Sequence, residues 1–140
     1  HQENAVSKDS TQNKENGPRG TLSIRTLAMP ADTNPSGDIF GGWLLAQMDV
    51  AGGITAHARA GGRTATVGIE AMTFHRPVWV GDVICCYTDI VKTGNTSLSI
   101  LVEVWVLRDQ KSSNRVKVTE GIFTYVAINE DGNKRPLPVE

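Results

Sequence analysis

The sequence predicts an α+β domain in which one long buried helix is wrapped by a bent antiparallel sheet. Three observations predict it. Nearly every residue from Trp43 to Ala58 is apolar or small, four segments of strand character follow, and turn residues separate the last of these. A chain of 140 residues has room for one such unit.

The totals narrow the function. Fourteen basic against fifteen acidic residues give a formal charge of -1, so no global field draws the chain to nucleic acid or anionic membrane, and a small-molecule partner is expected. No apolar run reaches the roughly 18 residues needed to span a bilayer, and no basic patch precedes an apolar stretch near the start, so the expectation is a soluble, cytoplasmic protein without an export signal. Cys85 and Cys86 are adjacent, which on a strand points them to opposite faces and would strain a bridge between them. They read as reduced, small core residues, open to oxidation at most, and without a His–Cys spacing no metal site is expected.

In chain order, residues 1–20 are almost devoid of apolar side chains and read as a flexible tail, with 21–140 a single domain. Leu22 to Met29 is a short strand stopped by Pro30. Pro35 and Gly37 mark a loop from Asn34, and the tandem Gly41 and Gly42 let the backbone lie close to another molecule as the helix begins. After a break at Ala60–Arg63 come strands at Thr64–Phe74, Val83–Val91, Ser97–Leu107 and Arg115–Ile128. In the third, Leu98, Ile100, Val102, Val104 and Val106 alternate with Ser97, Ser99, Glu103 and Trp105. Thr93-Gly94-Asn95 and Asp109–Asn114 supply reversals, so the last three strands should form a meander. A long apolar helix and a bent antiparallel sheet have one economical packing, the sheet around the helix, which is the hot-dog fold.

With no polar face, the helix is expected to be buried on all sides. Asp49 is then out of place among Leu44, Leu45, Met48, Val50 and Ile54, because burying a carboxylate costs several kcal/mol, as an order of magnitude, unless it is paired or neutralised. It is either one half of an ion pair, with Arg59 or Arg63, or a base in an apolar cleft whose proton affinity is tuned by desolvation. His57, at the far end of the helix, reads as a satisfied structural histidine.

Several stretches together resemble a known family. Leu27-Ala28-Met29-Pro30, Asp32-Thr33-Asn34, Gly37-Asp38-Ile39-Phe40-Gly41-Gly42-Trp43 and Gln47-Met48-Asp49 are followed by Phe74-His75-Arg76-Pro77-Val78, Val80-Gly81-Asp82-Val83, Val102-Glu103-Val104-Trp105-Val106 and Phe123-Thr124-Tyr125-Val126. From about Arg19 to Pro138 the chain is similar to the YciA-type acyl-CoA thioesterases of the hot-dog superfamily. The resemblance implies hydrolysis of an acyl-CoA thioester to free acid and CoA, with coenzyme A thioester as substrate and no further cofactor. It also implies a cytoplasmic homo-oligomer built from dimers, such as a trimer of dimers, with active sites at the dimer interface. Its recurring loop amide, helix-start N–H and helix carboxylate fall here on Asn34, Gly41 and Asp49.

Gly41 and Asp49 are eight residues apart, about 12 Å along a helix, too far to meet one thioester carbonyl within a chain. Antiparallel helices across a two-fold axis would close the gap, so a lone monomer should be inactive. The Gly41 N–H would hold the oxyanion at the positive end of the helix dipole. Asp49 would act as base or as nucleophile. Asn34 would orient water or carbonyl, or simply form an Asx-turn, and Asp38 would cap the helix or rival Asp49.

For CoA, His75 and Arg76 and the turn Gly94-Asn95-Thr96-Ser97 offer phosphate contacts, against plain readings as a solvated arginine and an ordinary hairpin turn. The pantetheine arm would lie along Gly68–Thr73, with Thr66 and Glu70 facing the site, and Phe40, Trp43, Met48 and Met72 would wall the acyl pocket. Two rivals remain. Hydratases and dehydratases of this fold pair a His with an acid, and the loop before the helix holds no His. A non-catalytic acyl-CoA-binding module would not need Asp49.

Overall fold

Alternation between apolar and polar residues builds the sheet. Leu98, Ile100, Val102, Val104 and Val106 share one face of the strand Ser97–Leu107, and all five are buried. In the computed structural model, which describes residues 17–107 and 115–140 and only the backbone of 71 and 72, this is the central strand of five. The elements are β1 (Thr21–Leu27), a single 3-10 turn (Pro30–Asp32), α1 (Gly41–Ala60), β2 (Thr64–Phe74), β3 (Val83–Thr93), β4 (Ser97–Leu107) and β5 (Arg115–Ala127). The sheet order is β1-β3-β4-β5-β2, antiparallel throughout. The expected meander is β3-β4-β5, although the reversal at Asp109–Asn114 lies outside the described residues. Predicted limits hold for β2 and β4, and elsewhere shift by one or two residues.

The helix α1 crosses the sheet and touches every strand, giving the hot-dog fold. Leu44, Met48, Ala51, Ala56 and Ala60 sink into a core that includes Ile84, Cys86, Phe123 and Tyr125. Gly61, in the left-handed region at φ +69°, ends the helix, and the Arg135 guanidinium donates to the Ala60 carbonyl at 2.9 Å.

The helix is not buried on all sides, which corrects the expectation. Val50 and Ile54 are more than half exposed, and β2 leaves Val67, Ile69 and Phe74 exposed as well. One five-stranded sheet can cover only one side of a helix, so the apolar composition of α1 exceeds what its own chain buries.

The N-terminal boundary also moves. The Arg19 N–H donates to Glu103 at 3.2 Å, and its guanidinium pairs with Asp89 at 2.8 Å. Gly20, at φ +83°, passes so close to β3 that a Cβ there would lie 1.9 Å from the Thr88 carbonyl oxygen. Residues expected in a tail therefore dock on the outer face of the sheet, drawn by the buried Glu103 carboxylate. Glu103 also accepts from the Trp105 indole at 2.9 Å and from Lys117 at 3.4 Å. Burial opposes the Lys117 charge, but hydrogen bonds and proximity to Glu120 and Glu103 hold its ammonium above the usual lysine range.

Both cysteines are free and buried on opposite faces. Burial, and then the neighbouring Cys85, push the Cys86 thiol up to about 12, which favours the neutral thiol over the thiolate. Cys85 accepts the Arg25 Nε–H at 3.3 Å. Among the described residues no helix is long and apolar enough to cross a membrane.

Gly20→Ala should lower unfolding stability by about 1–3 kcal/mol in urea titration, the loss being limited because the segment can peel away from Thr88. No change would mean that the segment does not dock as described.

Candidate active site

The loop ahead of α1 is organised by Asn34. Its Oδ1 accepts the N–H groups of Ser36 at 2.9 Å and Asp38 at 3.1 Å, its own N–H donates to the Asp38 carbonyl at 2.7 Å, and Gly37 N–H returns to the Asn34 carbonyl at 2.9 Å. The Asx-turn alternative is thus present in full, and the amide NH2 is the part of the side chain left for other work. Asp38 does not cap the helix, which corrects that reading. Phe40 occupies the cap position without a side-chain bond, while Asp38 is exposed two residues earlier with its backbone closing the loop.

Among the described residues, the N–H groups of Gly41 and Gly42 have no acceptor, and they lie at the positive end of a 20-residue helix. Neither glycine is demanded by its own chain. A Cβ on Gly42 would meet nothing within 4 Å, and one on Gly41 only the Phe74 ring at 3.7 Å. Side chains are missing where the space is open, as expected of a backbone kept bare for another molecule.

Beside this helix start lies a cleft of about 330 Å³, lined in part by Ile39, Gly41, Leu44, Phe74, His75 and Arg76. His75 and Arg76 therefore join Gly41. The turn Gly94-Asn95-Thr96-Ser97 does not. Phe74 pairs with Thr119 of β5 whereas Ser97 pairs with Val126, seven positions or about 23 Å along that strand. Of the expected acyl-pocket residues, Phe40 is half-exposed, Trp43 packs on the core edge, and Met48 has no exposed surface and belongs to the core. The Met72 side chain lies outside the described residues. His57 is exposed in the last turn of α1, away from the helix start.

Asp49 is half-buried and makes no ion pair with either arginine, which corrects that alternative. Arg59 donates to the Pro138 carbonyl at 2.8 Å, and Arg63 to the Glu130 carbonyl at 3.2 Å. Instead Asp49 Oδ1 accepts the Thr66 hydroxyl at 2.8 Å and the Tyr125 hydroxyl at 3.1 Å, and the Tyr125 hydroxyl is also 3.0 Å from the Asp49 carbonyl. Among the described residues Oδ2 has no partner. Thr66 and Tyr125 are direct partners across β2 and β5, so one cross-strand pair delivers both hydroxyls. Burial, and then the Asp49 charge, hold the Tyr125 phenol far above its usual range, so it remains a neutral donor.

Thr66 was legible as a polar residue on β2; it and Glu70 are both exposed there, and of the two Thr66 is the one that bonds Asp49. Tyr125 was missed as a site residue, and the available signal was the glycine pair inside α1, which marks close approach of another element. Among the described residues no three His, Cys, Asp or Glu side chains gather as a metal site.

A helix across an antiparallel sheet, with a carboxylate on its third turn and a bare N-terminus over a cleft, defines a protein of the hot-dog fold. Residues 36–113 match the model of the family described as Thioesterase superfamily. The chain belongs to that superfamily. It is 57% identical over 128 residues to the acyl-CoA thioester hydrolase YciA of Salmonella typhimurium, spanning 90% of this chain and 96% of the relative. The hexameric thioesterase of Yersinia pestis superposes with a TM-score of 0.82 at 54% identity, covering 88% of this chain and 99% of the other. The hexameric hot-dog-fold thioesterase of Campylobacter jejuni gives 0.79 at 42% identity, covering 85% and 91%.

Because a Cβ at Gly42 meets open space, Gly42→Ala should unfold at the same temperature as the parent or slightly higher, by up to about 0.5 kcal/mol in stability. A clear loss in a thermal melt would show that the glycine serves the fold.

Proposed function

We propose that the protein hydrolyses acyl-CoA thioesters to a free acid and CoA. The carrying observation is the Asp49 carboxylate, fixed through Oδ1 by two hydroxyl donors with Oδ2 left for chemistry, in a fold whose helix start carries bare N–H groups. The relatives' names support the same substrate class.

In this reading Asp49 Oδ2 takes a proton from water as the water oxygen attacks the thioester carbonyl carbon. Direct attack by the same free oxygen, through a mixed anhydride that water then cleaves, is the alternative use of this carboxylate. The carbonyl oxygen becomes an oxyanion held by the Gly41 N–H, and the Asn34 amide orients the water or the carbonyl. Collapse breaks the C–S bond, and the proton passes to the CoA sulfur.

Gly41 and Asp49 lie eight residues apart on one continuous helix, about 12 Å, so they serve one substrate only when they come from different subunits. The free edge of β2 supplies the joint. Pairing two such edges antiparallel buries Val67 and Ile69 and lays the bare faces of two α1 helices together. It also turns the Thr66 end of one strand toward the Phe74 end of the other. Thr66 holds Asp49 and Phe74 neighbours Gly41, so each base meets the helix start of the other chain.

Hexameric relatives fit an assembly of three such dimers. His75 and Arg76 would meet CoA phosphates beside the cleft, whereas Gly94 to Ser97 could reach the same CoA only from a neighbouring subunit.

Thiol release from a panel of acyl-CoAs should fall by about 10²–10⁴-fold in Asp49→Ala. Asn34→Asp keeps the loop's acceptor but loses the amide donors, and should fall about 10-fold or more if those donors contact substrate; full activity would make Asn34 a loop-former only. No release by the parent protein from any chain length, with CoA still bound, would leave a binding module. In Val67→Asp, sedimentation should show loss of the dimer together with loss of activity; an active monomer would refute the shared site.

A further inference from the structure

We propose that Tyr125 is a positioning residue that acts through Asp49, and that Gly52 exists to admit it; the inference rests on the hydrolase reading above. The Tyr125 hydroxyl stands 3.0 Å from the Asp49 main-chain carbonyl and 3.1 Å from its Oδ1, so one proton is shared between the backbone and the carboxylate of the same residue. The carbonyl is fixed by the helix. A carboxylate oxygen tied to the same hydroxyl is therefore fixed relative to the helix, and with Thr66 on the same oxygen the carboxylate has little freedom left to rotate. Its other oxygen is thereby set in one place before substrate arrives.

The approach is possible only because position 52 has no side chain. A Cβ on the buried Gly52 would lie 2.3 Å from the Tyr125 hydroxyl oxygen and 3.1 Å from Cζ. Interior glycine weakens a helix, so its presence in the middle of α1 calls for a compensating contact, and the phenol is that contact. Tyr125 is itself buried in the core, so it reaches the site from beneath and never needs to touch substrate.

Tyr125→Phe keeps the ring and removes only the hydroxyl. We expect kcat to fall about 10- to 100-fold with KM within about 3-fold, in a protein that melts within a few degrees of the parent. Added to Asp49→Ala, the same change should lower the residual rate no further, since nothing remains to be positioned. Gly52→Ala with Tyr125→Phe refills the space left by the hydroxyl. That double variant should be more stable than Gly52→Ala alone, yet no faster than Tyr125→Phe, which keeps the test available if the single Phe variant folds poorly. Unchanged kcat in either folded Phe variant, or an equal further loss in the Asp49→Ala background, would overturn the inference while leaving the hydrolase reading intact. Absence of turnover in the parent protein would defeat that reading, and this inference with it.

Discussion

Holding a partly buried carboxylate in the seam between α1 and the sheet is the constraint to which the rest of the structure answers. The usual remedy is a cation, and two arginines stand nearby in sequence, but both are spent on carbonyls of the C-terminal segment. The remedy used is a pair of neutral hydroxyls on one oxygen. Neutral donors satisfy and orient a carboxylate without cancelling its charge, as a salt bridge would, so the group stays available as a base. This remedy fixes more distant features. β2 and β5 must keep the register that sets Thr66 against Tyr125, and the helix must approach closely enough to need a glycine at 52.

The same helix sets a second condition. Its N–H groups are free only at the start, and its carboxylate sits two turns on, so no single chain can bring both to one carbonyl. The surface that would resolve this includes Val67 and Ile69, which the edge strand β2 leaves bare next to Thr66, the residue that holds Asp49. Bare apolar residues of β2 thus flank the carboxylate whose proposed partner group lies in a second chain. We read the two as one fact about assembly.

Much of this was legible in the sequence, for identifiable reasons. The β4 alternation and the turn residues after β3 fixed strand limits and the meander, because period and turn chemistry are local. Asp49 stood out because a carboxylate is the wrong residue for an apolar helix, and Gly41-Gly42 because the pair bares the backbone. Asn34, an ordinary residue for a loop before proline, was marked only by the family resemblance. What was not legible depended on distance along the chain. Asp49 meets Tyr125 across 76 positions, and no local pattern says which helix residue a strand tyrosine will face. The docking of Arg19 on Glu103 spans 84, and polar composition alone pointed the other way. The helix read as buried on all sides because composition counts every apolar residue, whereas one sheet covers only one face.

Mixing two inactive variants tests the shared site most directly. One chain would carry Asp49→Ala and the other Gly42→Val, which blocks the helix start, each confirmed as a folded oligomer before mixing. If each site takes its base from one subunit and its helix start from another, random exchange of subunits should restore about a quarter of the parent thiol-release rate, because half the dimers are mixed and each of those has one intact site. A mixture as inactive as its components, with mixed dimers shown by mass spectrometry, would contradict the account and return both halves of the site to a single chain.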